Sequence, residues 1–364
     1  MRLMPISMCQ PGMKLSQNIY NEEGVVLLAE NVELTQRLLN RLQANGIDYL
    51  YIQDPLTEDI MVSELLQPEL KARALSEIRQ TFRNLIDNNG SKSKLPYFHL
   101  GKSFCGLMDS ILDDLSGHKN AMIMLTNMCI TDQYLFQHSL NVCIYSTMLG
   151  MAYGYKQDEL QTLGLGALLH DIGKTKIPQE ILKKPGRLSD QEYEEMKKHT
   201  TFGFQILKDE PNIPLLSAHC ALQHHERWNG TGYPRNLAGK DIHEFAQWIG
   251  IADSFDALTS QRVYREAMLP HVAMEIILAD AHSLYDIAKV DLFRKKVAIY
   301  PIGSTLKLSS GEVGVVADLN TDSPQRPIVR ILYDADSQPV TQIYEIDLSK
   351  KLSVMVTEVN PIMA

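Results

Sequence analysis

From about Ala121 to Lys296 apolar residues recur at helical spacing, interrupted only by short loops. At Val297 that pattern stops. Short apolar runs among Pro301, Gly303, Gly311 and Gly314 replace it, such as Val313-Gly314-Val315-Val316 and Ile328-Val329-Arg330-Ile331-Leu332. This change of period constrains the fold more than any other feature. A long stretch of helical period must bury helix against helix, which predicts an all-α domain over 121–296. The segment after it predicts several short strands over 297–364, a small barrel or SH3-like meander.

The first 120 residues divide in two. Residues 1–56 read as a small α+β unit. Asn21 to Gly24 marks a hairpin turn before Val25-Val26-Leu27-Leu28. Leu34 to Ala44 has helical spacing, with Gly46 as its C-cap, and Asp48 to Ile52 reads as a strand. Residues 57–120 predict two helices, one ending near Asn88-Asn89-Gly90-Ser91 and one from about Phe98 to Leu115. They form either a packed hairpin or a stalk carrying a homodimer surface; the hairpin is the commoner arrangement. At roughly 150 residues per domain, 364 residues suggest two to three domains. The patterns place them as an accessory unit over 1–56 with its helical connector over 57–120, a helical domain over 121–296 and a β domain over 297–364.

Lys plus Arg number 35 and Asp plus Glu 44, a net charge of −9. Binding to polymeric nucleic acid is not expected of so acidic a chain, because counterion release needs clustered cations. A small anion is compatible where local cations overcome the global field. The five cysteines, Cys9, Cys105, Cys129, Cys143 and Cys220, are scattered and never form CxxC. Neither a disulfide framework nor a thiolate zinc site is expected. Nowhere do about eighteen apolar residues run uninterrupted, so no membrane span is expected. The opening residues lack the continuous apolar run of a signal peptide. A reduced, cytoplasmic protein is the expectation.

The chemistry concentrates in the helical stretch, in His138, His170-Asp171, His199, His224-His225 and Asp253. These five segments are separated by about 25 to 32 residues, a helix and a loop each. Consecutive antiparallel helices can bring all five to one place. Neutral imidazole and carboxylate are ligands for Fe, Mn, Zn or Ni. Seven donors exceed what one metal uses, and a carboxylate between two cations can bridge them, which points to a dinuclear site. Neighbouring side chains on a helix diverge by about 100°. The two adjacent pairs can therefore share a site only near helix ends or by straddling it. His99, His118, His219, His243, His271 and His282 read as surface or satisfied core residues.

Local sequence supports this grouping. The apolar run Ala167-Leu168-Leu169 delivers His170-Asp171 to the interior, Gly173 lets the chain turn, and Lys174 returns a cation to the same place, where it could hold a phosphate oxygen. After His224-His225-Glu226 come Gly230, Gly232 and Pro234 around Tyr233, a loop able to form a lip over the metals. Asp253 lies on a helix that leads to Arg262, Tyr264 and Arg265. Two guanidiniums near a dinuclear site suggest a substrate with more than one phosphate.

These motifs resemble the HD superfamily of metal-dependent phosphohydrolases. His224 to Pro234 matches the HHExxxGxGYP signature of the HD-GYP branch without a gap, and Asp253 to Arg265, DSFDALTSQRVYR, is similar to that branch's ending. The likeness runs from about Asp132 to about Phe293. It implies an HD-type helical catalytic domain, which, between the small α+β N-terminal domain and the small β-barrel-like C-terminal domain read above, makes the expected fold mainly α. It also implies a bacterial signalling enzyme that hydrolyses cyclic di-GMP to the linear dinucleotide pGpG, to GMP, or both. The resemblance assigns His138, His170, Asp171 and Asp253 to one metal. Asp171 bridges to a second, completed by His199, His224 and His225. Lys174, Arg262 and Arg265 match substrate-phosphate contacts, with Lys174 and Asp171 taking part in catalysis, and Gly232, Tyr233 and Pro234 form the lip.

One departure bears on the metal count. Trinuclear members carry a Glu four residues before the first His; Tyr134 stands there in this chain. A phenol is a poor replacement, so two divalent ions per chain are expected, Fe or Mn first, with Ni, Zn or Co as substitutes. Two other readings stay open: a sensor or scaffold that binds the dinucleotide with little turnover, and an HD phosphohydrolase acting on another cyclic dinucleotide.

Overall fold

The computed structural model describes residues 1–20, 25–45, 47, 49–62, 65–87, 100–117, 134–260 and 267–361. Asn21 to Gly24, Gly46, Asn88 to Ser91, His99, His118, Cys129, Tyr264, Arg262 and Arg265 lie outside them, so the turn, cap and loop read there are not described.

The start of the chain alternates short strands with one helix. β1 (Arg2–Pro5) pairs antiparallel with β4 (Tyr49–Ile52), while β2 (Ile19–Tyr20) pairs with β3 (Val26–Leu28). Between them lies α1 (Gln36–Ala44), capped by Thr35, whose hydroxyl accepts from Leu38 N. Leu15, Ile19, Leu34, Leu39, Leu42, Leu50 and Ile52 form the core of this small α+β assembly.

The helical period then produces α2 (Pro68–Asp87) and α3 (Leu100–Ser116). α2 starts later than its charged sequence suggests, because Pro68 suits a first turn but not a helix interior. The two helices pack on each other, α2 also meets α4 (Tyr134–Tyr153), and α3 meets α5 (Gln157–Leu168). Both helices thus pack into the helical layer. The remaining helices are α6 (Gln179–Leu182), α7 (Asp190–Lys197), α8 (His199–Leu207), α9 (Leu215–Gln223), α10 (Glu244–Thr259), α11 (Pro270–Ala279) and α12 (Ile287–Lys296). α4 is buried all round from Gln137 to Gly150, the position of a central helix. α5 and α10 flank it, and α8 and α9 close the layer.

After α12 the chain forms β5 (Thr305–Leu308), β6 (Val313–Asp318), β7 (Ile328–Tyr333), β8 (Pro339–Asp347) and β9 (Val356–Val359). They make one antiparallel sheet in the order β8-β7-β6-β5-β9. The barrel-like closure expected from the sequence is absent among the described residues. β8 and β9 are the two edges, and most of β8 is exposed, so the strands form an open sheet and not a sealed cylinder.

The described residues of Met1–Glu64 and Lys295–Ala364 form one compact unit, those of Leu65–Lys119 and Gln133–Arg294 another. The two ends of the chain therefore fold together. Leu3 N donates to Gly303 O at 2.8 Å, Ile60 is buried with Val315 and Leu332, and the Arg330 guanidinium joins Asp59 to Glu345. No described helix is long and apolar enough to cross a membrane.

Candidate metal centre and active site

Both adjacent pairs fall at helix ends, as diverging helical side chains require. His170-Asp171 lie just past α5, after Leu169, and lead into a 3₁₀ turn, Ile172–Lys176; His224-His225 follow α9. The turn packs tightly on α8. A β-carbon on Gly173 would lie 1.9 Å from His199 O and 2.4 Å from Gly203 N, so this position admits only hydrogen. Gly173 therefore serves close approach of two backbones, with His170 and His199 brought to the same point from two elements.

Three imidazoles are oriented by the same device. His170 donates from Nδ1 to Ala167 O at 2.7 Å, His199 from Nδ1 to Met196 O at 2.7 Å, and His224 from Nδ1 to Cys220 O at 3.2 Å. A carbonyl only accepts, so each Nδ1 carries the proton and, in the neutral ring, each Nε2 presents a lone pair. Burial holds His199 down to about 4 and His224 and His225 well below their ordinary 6.5, so these three rings are neutral near pH 7. His199 Nε2 and His224 Nε2 then face each other at 3.3 Å as two acceptors, an arrangement that a cation relieves.

Asp171 sits between two donor groups. Its Oδ2 is 3.3 Å from His170 Nε2 and 3.7 Å from His138 Nε2, and its Oδ1 is 3.5 Å from His199 Nε2 and 3.9 Å from His224 Nε2. The ligand atoms of His138, His170 and Asp171 lie within 4.8 Å of one another, as do those of His199, His224 and His225. Asp253 connects the groups, with Oδ1 3.1 Å from His138 Nε2 and Oδ2 3.8 Å from His225 Nδ1. All seven sequence-picked donors converge. His170 Nε2 and Asp171 Oδ1 are buried polar atoms with no hydrogen-bond partner. Such orphans are costly in a protein interior and fit metal ligation.

Charge within the cluster is arranged for cations. Burial opposes ionisation of Asp171, but Lys174 and the surrounding imidazoles outweigh it and hold its carboxyl well below 3.8. Burial likewise opposes Asp253, outweighed by His138 and His225. Lys174 reaches Asp171 Oδ2 at 2.5 Å, so the cation expected from the motif is in place, with its side chain 19% exposed. Tyr233 N donates to His225 O at 3.2 Å, and the Tyr233 ring lies 4.7 Å from the His225 ring. Gly232 makes this loop feasible, since a β-carbon there would come within 2.4–2.5 Å of Arg227 N, Glu226 Cα and His225 O. Pro234 follows across a cis peptide and is exposed. Arg262 and Arg265 are not among the described residues, nor is the Tyr134 side chain, although Tyr134 opens α4 one turn before His138.

The sequence reading missed the supporting residues. Asp256, one turn after Asp253 on α10, accepts from His138 Nδ1 at 2.7 Å. Asn141 Nδ2 donates to the other Asp256 oxygen at 2.7 Å, and Gln137 Nε2 donates to Asn141 Oδ1 at 2.7 Å. Burial works against a charged His138, but Asp253 and Asp256 outweigh it and raise the ring to about 9. Glu226, also buried, accepts from Arg235 N at 2.7 Å and Leu237 N at 3.0 Å, tying the Tyr233 loop to α9. The i, i+3 spacings of Asp253 with Asp256 and of His138 with Asn141 were the available signal.

A helical domain thus focuses five imidazoles and two carboxylates on one point in its interior. The family profile described as HD domain matches residues 123–288, and one described as KOW domain associated with HD domain matches residues 305–361. Over 237 residues the chain is 34% identical to cyclic di-GMP phosphodiesterase PA4108 of Pseudomonas aeruginosa, covering 65% of this chain and 57% of that one. Over 166 residues it is 39% identical to the cyclic di-GMP phosphodiesterase of Thermotoga maritima, covering 45% of each. Over 156 residues it is 35% identical to 3'3'-cGAMP-specific phosphodiesterase 2 of Vibrio cholerae, covering 43% of this chain and 30% of that one. The chain spans at most 57% of the length of these relatives. The chain thus carries an HD domain over residues 123–288 followed by a KOW domain of the kind associated with HD domains over residues 305–361.

Proposed function

We propose that this chain is a metal-dependent phosphodiesterase that hydrolyses cyclic di-GMP to pGpG, GMP or both in bacterial second-messenger signalling. The observation that carries this reading is Asp171, whose two oxygens face two separate histidine groups. His138, His170 and Asp253 would hold one divalent ion and His199, His224 and His225 a second, with Asp171 shared; Fe or Mn suits this N/O donor set, and Ni, Zn or Co could replace them. When bound, two such ions supply an activated hydroxide and stabilise charge on the phosphoryl oxygens.

The chain's own groups do the rest. Lys174, charged and partly exposed beside Asp171, offsets charge developing on a non-bridging phosphate oxygen. The tethered Nδ1 atoms keep the imidazoles from rotating out of register. Gly232, Tyr233 and Pro234 wall one side of the cluster, and Arg262 and Arg265 follow α10 in sequence as contacts for the substrate's phosphates. The net charge of −9 opposes an anion only at long range, since the Debye length near 0.15 M salt is about 8 Å.

The likeness to a 3'3'-cGAMP-specific relative supports a second reading, in which the hybrid dinucleotide is the better substrate. Both are tested by incubating Mn- or Fe-loaded protein with each dinucleotide and separating the products by chromatography. Linear products from the wild type and none from Asp171→Asn are expected. Binding without product would make the chain a sensor instead.

A further inference from the structure

Next to the cluster lies an arrangement for which hydrolysis of a single diester has no use. Tyr193 on α7 is 47% exposed. Exposure of one aromatic is ordinary; its neighbours are not. The Tyr193 ring meets Tyr233 edge to face at 6.5 Å, and Tyr233 lies 4.7 Å from His225, tilted by 32°. Lys197, one turn after Tyr193, holds its ammonium 4.9 Å from the Tyr193 ring centre and 5.7 Å from that of Tyr233. Its carboxylate partner, Glu194, is 67% exposed, and such pairs contribute little and yield to competing anions. Two rings and a cation thus form a ladder whose inner rung touches the candidate ligand His225.

We infer that Tyr193 and Lys197 form a substrate subsite, where a purine base of a cyclic dinucleotide stacks on Tyr193 and Lys197 meets the phosphate not undergoing hydrolysis. This rests on the phosphodiesterase reading of the cluster. A cyclic dinucleotide carries two phosphates and two bases. With one phosphate beside Asp171 and Lys174, the rest of the ring must extend past the lip, and the ladder starts there. Aromatic faces accept any base, while an ammonium over a ring strengthens both contacts as water is excluded. In a chain of net charge −9, a lysine close to the cluster also supplies the local positive field that a second phosphate needs.

Steady-state hydrolysis by the metal-loaded protein tests this, with cyclic di-GMP and with bis(4-nitrophenyl) phosphate, which has one phosphate and no base. Tyr193→Ala should raise KM for cyclic di-GMP about tenfold with kcat changed less than about twofold, the signature of lost uniform binding. Tyr193→Phe keeps the ring face and should restore KM. Lys197→Met should raise KM by roughly threefold and flatten its dependence on salt. An unaltered KM in Tyr193→Ala, with the wild type active, overturns the subsite alone. Equal losses on both substrates place the effect in the metal cluster and also overturn it. A wild type that cleaves bis(4-nitrophenyl) phosphate but no cyclic dinucleotide overturns the reading of the site, and the subsite with it.

Discussion

Asp256 accepts a hydrogen bond from Nδ1 of His138 at 2.7 Å, and both side chains are buried. His138 differs in this from His170, His199 and His224, which donate to helix carbonyls. A carboxylate partner makes the imidazole a stronger base and fixes its ring plane. Asp256→Ala should therefore lower affinity at the His138 group by about 10–100-fold, the usual effect of losing an outer carboxylate. Competitive metal titration measures it, with circular dichroism as a check on folding. Unaltered affinity in a folded Asp256→Ala protein would leave Asp256 a purely structural residue.

Gly173 sets how closely the His170-Asp171 turn approaches α8. Its missing β-carbon would sit 1.9 Å from a backbone oxygen, and backbone cannot rotate aside as a flexible side chain can. Gly173→Ala should destabilise the helical unit by about 3 kcal/mol or more, a thermal midpoint lower by roughly 6–12 °C. Gly203→Ala is the contrast, because its nearest neighbour would be Ala221 Cβ at 3.3 Å. Differential scanning calorimetry of the two variants compares them; equal small losses would mean the turn can slide on α8.

These two residues mark what the sequence made legible. The five donor segments could be grouped in advance because a helix and a loop separate each from the next, so that successive helices return them to one place, the adjacent pairs at helix ends and His138 and Asp253 within α4 and α10. Asp256 was on view in DSFDALT, but its role depends on which face of α10 meets α4, and periodicity does not select one of two buried faces. The joining of both chain ends in one unit was not legible either. Its contacts, such as Leu3 with Gly303, span about 300 residues and leave no local pattern. Between the barrel and the meander that the β segment allowed, the strand order gives the meander: alternating apolar runs specify strands, whereas closure depends on the pairing of β8 with β9, which lie at opposite edges.

Glu226 controls the loop that carries Tyr233. Its buried carboxylate accepts from two backbone amides, at Arg235 and Leu237. Hydrogen bonds to a charged acceptor are worth about 1.5–3 kcal/mol each, and the amides would be left without it in Glu226→Ala. That variant should lose about 2–4 kcal/mol in denaturant unfolding, within the same scale. Hydrogen exchange at the Arg235 and Leu237 amides should accelerate before global exchange does. Glu226→Gln should be milder, since one amide oxygen remains to accept. Unchanged exchange at both amides in Glu226→Ala would show that the loop is held by other contacts.

The buried imidazoles give the chelator-stripped protein a defined pH profile. His199 is held at about 4 by burial against an ordinary 6.5, and His224 and His225 are shifted the same way. Between those values the unfolded chain binds more protons than the folded one, so unfolding free energy rises with pH. Stability present above 6.5 is therefore lost as pH falls toward 4. His138 has the opposite sign. Burial lowers it, but Asp253 and Asp256 outweigh burial and raise it to about 9, so its contribution is complete below 6.5 and lost as pH rises through 9. In the lower window His138 is protonated in both states and contributes no slope. The thermal midpoint of the stripped protein should then peak near pH 6.5 and decline on both sides. Melts between pH 4.5 and 9.5 test it: a flat profile below 6.5 would contradict neutral burial of His199, and a midpoint still rising toward 9 would contradict the Asp253 and Asp256 contacts to His138. His138→Gln should remove the alkaline decline and keep the acid one.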